Sequence, residues 1–251
     1  MTATRLSLWF LVFVLASAGT AYAAENATSS LASPAPAIVI GFVGGFVHHN
    51  DLRRSEVQLA QKLRTEYRDR VHIEILENRR WRTADQIIRR WLDANQDGAL
   101  SDPEKRGARI ILFGSSWGAA AVISLARRLE QENIPVRLTV QVDSIAKLGQ
   151  DDRVIPGNVE NAINFYQTRG LLHGRSKITA ADPAHTEVLG DFRFNHAKAP
   201  TQCHAYPWLD RLLFSSHIAM SCDPAIWSQV QALISTYLVS GEQIPYKTAQ
   251  Q

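Results

Sequence analysis

Short apolar runs alternate along this chain with segments whose apolar residues recur every three or four positions. Residues 37–46, AIVIGFVGGF, form an unbroken apolar run ending in Gly44-Gly45, the pattern of a buried strand entering a tight loop. SEVQLAQKLRTEY (55–67) places Val57, Leu59, Ala60 and Leu63 at helical spacing, with Ser55 as its expected cap. VHIEILEN (71–78) alternates as a strand does. TADQIIRRWLDAN (83–95) reads as a helix with Ile87, Ile88, Trp91 and Leu92 turned inward.

The same order then repeats. RIILFG (109–114) is a third strand and AAAVISLARRLEQEN (119–133) a helix. VRLTVQVD (136–143) is a fourth strand, and NAINFYQT (161–168) a candidate fifth. Residues 169–216 carry no clear period. DPAIWSQVQALISTYL (223–238) opens with an Asp-Pro cap and presents Ile226, Trp227, Val230, Leu233, Ile234, Tyr237 and Leu238 on one face. Strands alternating with helices predict an α/β fold: one domain over 37–240, with a mainly parallel sheet covered by helices on both faces.

The first residues stand apart from this pattern. Arg5, an apolar run from Leu6 to Leu15, and Ala21-Tyr22-Ala23 have the three parts of a signal peptide cleaved after residue 23, with a retained anchor as the competing reading. The run is short for a membrane span. Residues 24–36 read as a flexible leader and 241–251 as a C-terminal tail. The chain is therefore expected to be secreted or periplasmic, with no stable membrane span after cleavage. In an oxidising compartment its only two cysteines, Cys203 and Cys222, are expected to pair. Asn26-Ala27-Thr28 is a formal glycosylation acceptor.

A formal net charge of +3 over 251 residues is too weak to argue for a nucleic-acid partner, and the scattered Arg pairs read as solvated helix faces and loop charges, so none is expected. GFVGGF is not a dinucleotide fingerprint, so no organic cofactor is expected.

Two motifs carry chemistry. Gly114-Ser115-Ser116-Trp117-Gly118 matches G-x-S-x-G between a strand and a helix. So sharp a turn requires small residues two before and two after Ser116, and it lifts that hydroxyl above the carboxyl end of the sheet. The helix that follows aims its amides at the same point.

On GSSWG, its flanking elements and the order of the acidic and histidine residues downstream, residues 37–238 resemble the α/β-hydrolase family of serine esterases and lipases. The resemblance implies a Ser-acid-His chain order, which leaves His173, His185, His196, His204 and His217 as bases. His217, in LLFSSHIAMSCDP just before the last helix, fits best, on a loop able to swing over the sheet; His204 is next. Asp143, at the tip of the strand after the nucleophile helix, is the expected acid, with Asp182 and Asp191 as alternatives. The oxyanion donors are expected to be the Trp117 amide and Phe46 in the loop 41–51, which lacks the His-Gly pair of many members. The implied activity is hydrolysis of a small-molecule or lipid ester through an acyl-enzyme. A thioesterase or amidase with the same residues is the neighbouring reading, and a non-catalytic calcium-dependent binding protein a reading from another class.

The second motif is independent. DANQDGALSDPE (93–104) follows D-x-[DN]-x-[DN]-G-x5-E, the EF-hand calcium loop. Asp93, Asn95, Asp97, the Ala99 carbonyl and a two-oxygen Glu104 are the expected Ca2+ ligands, and Gly98 permits the bend. Only EKRG separates it from the next strand, so no full exit helix is expected. The ion is expected to be structural.

Overall fold

β1 (Ala37–Val43) is buried at every position because it lies inside the sheet with helices on both sides. Ala37, Val39 and Val43 face one apolar layer and Ile38, Ile40 and Phe42 the other. α1 (Ser55–Tyr67) returns the chain to β2 (Val71–Glu77), which pairs parallel with β1. α2 (Trp81–Leu92) and the five-residue α3 (Asp102–Arg106) precede β3 (Arg109–Ser115). α4 (Trp117–Glu130) leads to β4 (Val136–Val142), and the two-residue β5 (Val154–Ile155) precedes β6 (Val159–Tyr166). A second short strand, β7 (Thr179–Ala180), pairs with β5; β8 (Glu187–Arg193) closes the main sheet. Three helices complete the chain: α5 (Trp208–Leu213), α6 (Ser215–Cys222) and α7 (Pro224–Val239).

This computed structural model describes residues 37–196, 203–204 and 206–239. The proposed signal peptide, the leader, the Asn26 acceptor and the tail lie outside the described residues. Six strands run in the order β2-β1-β3-β4-β6-β8, every neighbouring pair parallel. α1 and α7 pack on one face through Leu59, Leu63, Val230 and Leu233; α2 and α4 cover the other through Ile88, Leu92, Leu125 and Leu129. The described residues thus form a single α/β unit, a parallel sheet enclosed by two helical layers. Among the described residues no helix is long and apolar enough to cross a membrane.

Several local expectations need correction. Ser55 does not cap α1: it is the first helical residue, and Arg54 holds the cap position with no side-chain bond. Trp91 is 45% exposed, because the inward stripe of α2 runs Ala84, Ile88, Leu92 and leaves Trp91 on its flank, stacked on His72 at 4.1 Å. The stretch around His217 is the helix α6, not a loop. Residues 169–216 do contain a strand, β8, whose central residues are only half-buried because it lies at the sheet's edge. Asp223 caps α7 as expected, accepting the Ala225 amide at 2.8 Å.

Candidate active site

β3 and β4 are central neighbours, and their carboxyl ends place Ser116 and Asp143 side by side. Ser116 follows the last residue of β3 with φ 54° and ψ −126°, a conformation that costs a non-glycine residue on the order of 1–3 kcal/mol. The glycines around it make that turn possible. A Cβ on Gly114 would come within 2.6 Å of the Gly118 backbone; one on Gly118 would press into the Phe42 carbonyl, its carbon at 2.8 Å. Small residues at these two positions are therefore a steric requirement of the strand-to-helix turn.

Three side chains distant in sequence converge here. His217 Nε2 lies 2.9 Å from Ser116 Oγ, and His217 Nδ1 lies 2.7 Å from Asp143 Oδ2. Asp143 and His217 are both buried. Asp143 is fixed by more than the histidine. Gly174 donates its amide to Oδ1 at 2.7 Å, and Gln167 donates its side-chain amide to Oδ2 at 3.0 Å. A Cβ on Gly174 would sit 2.6 Å from the Asp143 carbonyl carbon, so this approach needs glycine. A carboxylate held by three partners keeps its orientation towards the imidazole.

The competing candidates lie elsewhere. His185 bonds Asp182 at 2.7 Å on the surface, and His196 bonds Asp223 at 2.7 Å. Asp191 accepts from Asn164 and from the Ile178 amide. His204 is exposed.

α6 carries His217 in its first turn and is tied down at its far end. Cys222, its last residue, is disulfide-bonded to Cys203, with Cα atoms 5.5 Å apart. Tyr206 packs between Cys203 and Ile218 in the same small cluster and donates its hydroxyl to the Ser221 carbonyl at 3.1 Å.

The loop after β1 runs over the serine. A Cβ on Gly44 would meet Ser116 Cβ at 3.0 Å, and Gly45 takes φ 53°. Asn78, buried at the end of β2, ties this loop by donating to the carbonyls of Val43 at 3.3 Å and Gly45 at 2.6 Å. Phe46 is 78% exposed, its ring edge-on to Trp117 with centroids 5.1 Å apart. Trp117 begins α4, so its amide has no acceptor within the helix and is free to donate above Ser116.

Beneath the turn is a group that the motif does not announce. Glu56 of α1 is 2% exposed and accepts the hydroxyl proton of Ser115, while its other oxygen has no partner. Burial pushes its carboxyl above the usual carboxylate range, against the opposing hydrogen bond from Ser115. Ser115 occupies the β3 face of Ile111 and Phe113, the face α1 covers, so strand alternation points to this contact. Asn78, Gln167 and Gly174 carry no such signal.

The 93–104 segment folds as a closed loop. Asp93 accepts the amides of Asp97 at 3.2 Å and Gly98 at 2.9 Å, and Gly98 takes φ 84° at the sixth position. Asn95 and Asp97 accept the amides of Asp97 and Ala99. Glu104 joins the two ends, accepting the Ala94 amide at 2.8 Å and the Ser101 hydroxyl at 2.7 Å, bonds that hold its carboxyl below the usual range. Ser101 and Glu104 form a capping box that starts α3, a single-turn exit helix. Among the described residues no three His, Cys, Asp or Glu side chains already converge as metal ligands. In type, order and bend the loop fits calcium; its carboxylates bond loop amides.

No protein-family model matches the chain, and no curated protein does. Among solved structures, a dienelactone hydrolase-like promiscuous phosphotriesterase from metagenomic libraries aligns over 81% of this chain and 87% of that one, at 14% identity and a TM-score of 0.36. So distant a likeness leaves the site to be read from its own geometry.

Proposed function

We propose that this protein is an exported serine hydrolase that cleaves carboxylic esters through an acyl-enzyme. The observation that carries the reading is the continuous relay from Ser116 Oγ through His217 to Asp143, at 2.9 and 2.7 Å. A serine hydroxyl is a weak nucleophile unless a positioned base removes its proton, and that base needs its second nitrogen held.

In this reaction Ser116 Oγ attacks the ester carbonyl carbon as His217 Nε2 takes the hydroxyl proton. Asp143 keeps the other imidazole proton on Nδ1 and stabilises the imidazolium. The new oxyanion is met by the Trp117 amide and by a second donor from the Gly44–Phe46 loop, for which Phe46 is the candidate. Losing one such donor costs about 3 kcal/mol at the transition state. The carbon–alkoxide bond then breaks and the departing oxygen takes the proton from His217. Water repeats the sequence on the acyl-serine and returns the proton to Ser116 Oγ. The same relay would open a thioester or an amide, so the ester is the simplest member of a small substrate class.

The disulfide and the small-x-small site at residues 21–23 support export. We further propose that Asp93, Asn95, Asp97, the Ala99 carbonyl and Glu104 hold a structural Ca2+, supported by the motif order and by Glu104 joining the loop's ends. The ion would supply cross-linking of the segment before β3 and no chemistry at Ser116.

Fluorophosphonate labelling tests the main reading. The folded protein is expected to take up one equivalent at Ser116 and to hydrolyse p-nitrophenyl butyrate. A folded protein that takes up no label overturns it.

A further inference from the structure

Among the described residues, the rim of the oxyanion loop carries two cations without counter-ions. Lys147 lies past the tip of β4, its ammonium 5.1 Å from the centroid of the Trp117 ring, the residue next to Ser116. Arg79 follows Asn78, and its guanidinium lies 5.7 Å from the centroid of the Phe46 ring. Phe46 and Trp117 touch edge to face, so the two cations flank one aromatic pair whose tryptophan directly follows Ser116.

Among the described residues neither cation has a carboxylate at ion-pair distance. Lys147 has one hydrogen-bonded acceptor for its ammonium, the neutral Asn78 Oδ1 at 2.6 Å. Burial lowers its proton affinity and the charge of Arg79 lowers it further. Elsewhere this chain pairs its cations readily: Arg53 with Asp51, Arg89 with Asp85, Arg175 with Asp152. A partly desolvated ammonium beside a second cation is electrostatically unfavourable until an anion arrives.

We propose that Lys147 and Arg79 form an anion subsite at the rim of the active site, so that the favoured substrate is an ester bearing a carboxylate or phosphate group. The proposal rests on the ester-hydrolase reading and names its substrate class. Lys147 would bind the anion directly and, through Asn78, couple its arrival to the loop that carries the oxyanion donor. Arg79, longer and more exposed, would close over it from the Phe46 side.

The test compares p-nitrophenyl hemisuccinate with the neutral p-nitrophenyl butyrate. The charged ester is expected to have the higher kcat/KM at low salt by about tenfold, the low end for a hydrogen bond to a charged group. High salt should erase the preference. Lys147→Gln and Arg79→Gln should each reduce the charged-to-neutral ratio, and Lys147→Arg should restore it. A ratio at or below one in the unaltered protein, or one that the Gln variants leave alone, overturns the subsite. Calorimetry on the Ser116→Ala protein separates this from the chemistry. If neither ester is cleaved but succinate binds in a Lys147-dependent way, the subsite stands and the hydrolase reading falls. If esters are cleaved without preference and no anion binds, the reverse holds. Lys147-dependent binding of inorganic phosphate in place of succinate keeps the subsite and makes its ligand a phosphate ester.

Discussion

Ser115 and Ser116 are adjacent in sequence yet belong to different networks: Ser115 donates to the buried carboxyl of Glu56, and Ser116 meets His217. The division follows from geometry. Ser115 is the last residue of β3 and keeps the strand's alternation; Ser116 leaves it at φ 54°.

Ser116→Ala is therefore expected to abolish fluorophosphonate labelling and ester hydrolysis with little change in melting temperature. Ser115→Ala should keep both activities but lose stability, because it leaves a buried carboxyl without its partner, at about 1–3 kcal/mol. Labelling and thermal melts on the two variants decide the matter. A dead Ser115→Ala beside an active Ser116→Ala would reverse the assignment.

Asp143→Asn should preserve the fold and lower kcat by on the order of a thousandfold or more, since the amide presents the wrong group to Nδ1 and the imidazole tautomer is lost. KM should change little, because Asp143 is buried and does not face substrate. A kcat within a few-fold of the starting protein would remove Asp143 from the relay.

Glu56 predicts a loss of stability as the pH rises above the ordinary glutamate range. Its folded-state proton affinity is raised by burial, so the native state holds the proton more tightly than the unfolded chain does. That contribution is complete below the ordinary glutamate range and is lost as pH climbs through the raised value, at no more than about 1.4 kcal/mol per pH unit for one proton. Glu56→Gln should flatten this slope. Urea unfolding at stepped pH, giving parallel curves for the two proteins, would refute it.

Reduction of Cys203–Cys222 should destabilise the fold by roughly 3 kcal/mol on the chain-entropy estimate for a loop of this length. Because His217 lies within that loop, the loss of activity should precede the loss of far-ultraviolet signal as reductant is titrated. Coincident curves would detach the bridge from the base.

Calcium should raise the melting temperature of metal-stripped protein, by about 2.7 kcal/mol of stability at a hundredfold excess over Kd. Chelation should reverse this, and Glu104→Gln should remove most of it by deleting one of the two expected ligand oxygens. Activity well below the melting point should be indifferent to chelator. A melting curve unmoved by calcium disposes of the proposed ion.

The alternation of strand and helix was legible from apolar spacing because the central elements are buried on defined faces, as β1 and α7 are. β8 lacked that signal: unlike β2 at the other edge, its Val188 to Phe192 are partly exposed on both faces, so apolar residues do not recur at every second position. α6 lacked it for the opposite reason, since His217 through Cys222 are all buried and leave no polar stripe. Ser116, Asp143 and His217 could be singled out as candidates because motif and chain order constrain them. The alternation of β3 turns Ser115 towards α1 and so hints at Glu56, but Asn78 and Lys147 could not be found this way, since their meaning lies in what folds against them and no local spacing encodes it.

The order of the parts along the chain sets when a working site can exist. The serine and the acid come from neighbouring strands at the middle of the sheet, while the histidine follows the acid by 74 residues. Whether the chain emerges from a ribosome or from an export channel, the centre of this fold comes out before the helix that carries His217. On the proposed reading, the hydroxyl at the turn has no proton acceptor until α6 docks, so the chain would gain its activity towards esters only when that last part of the fold is in place.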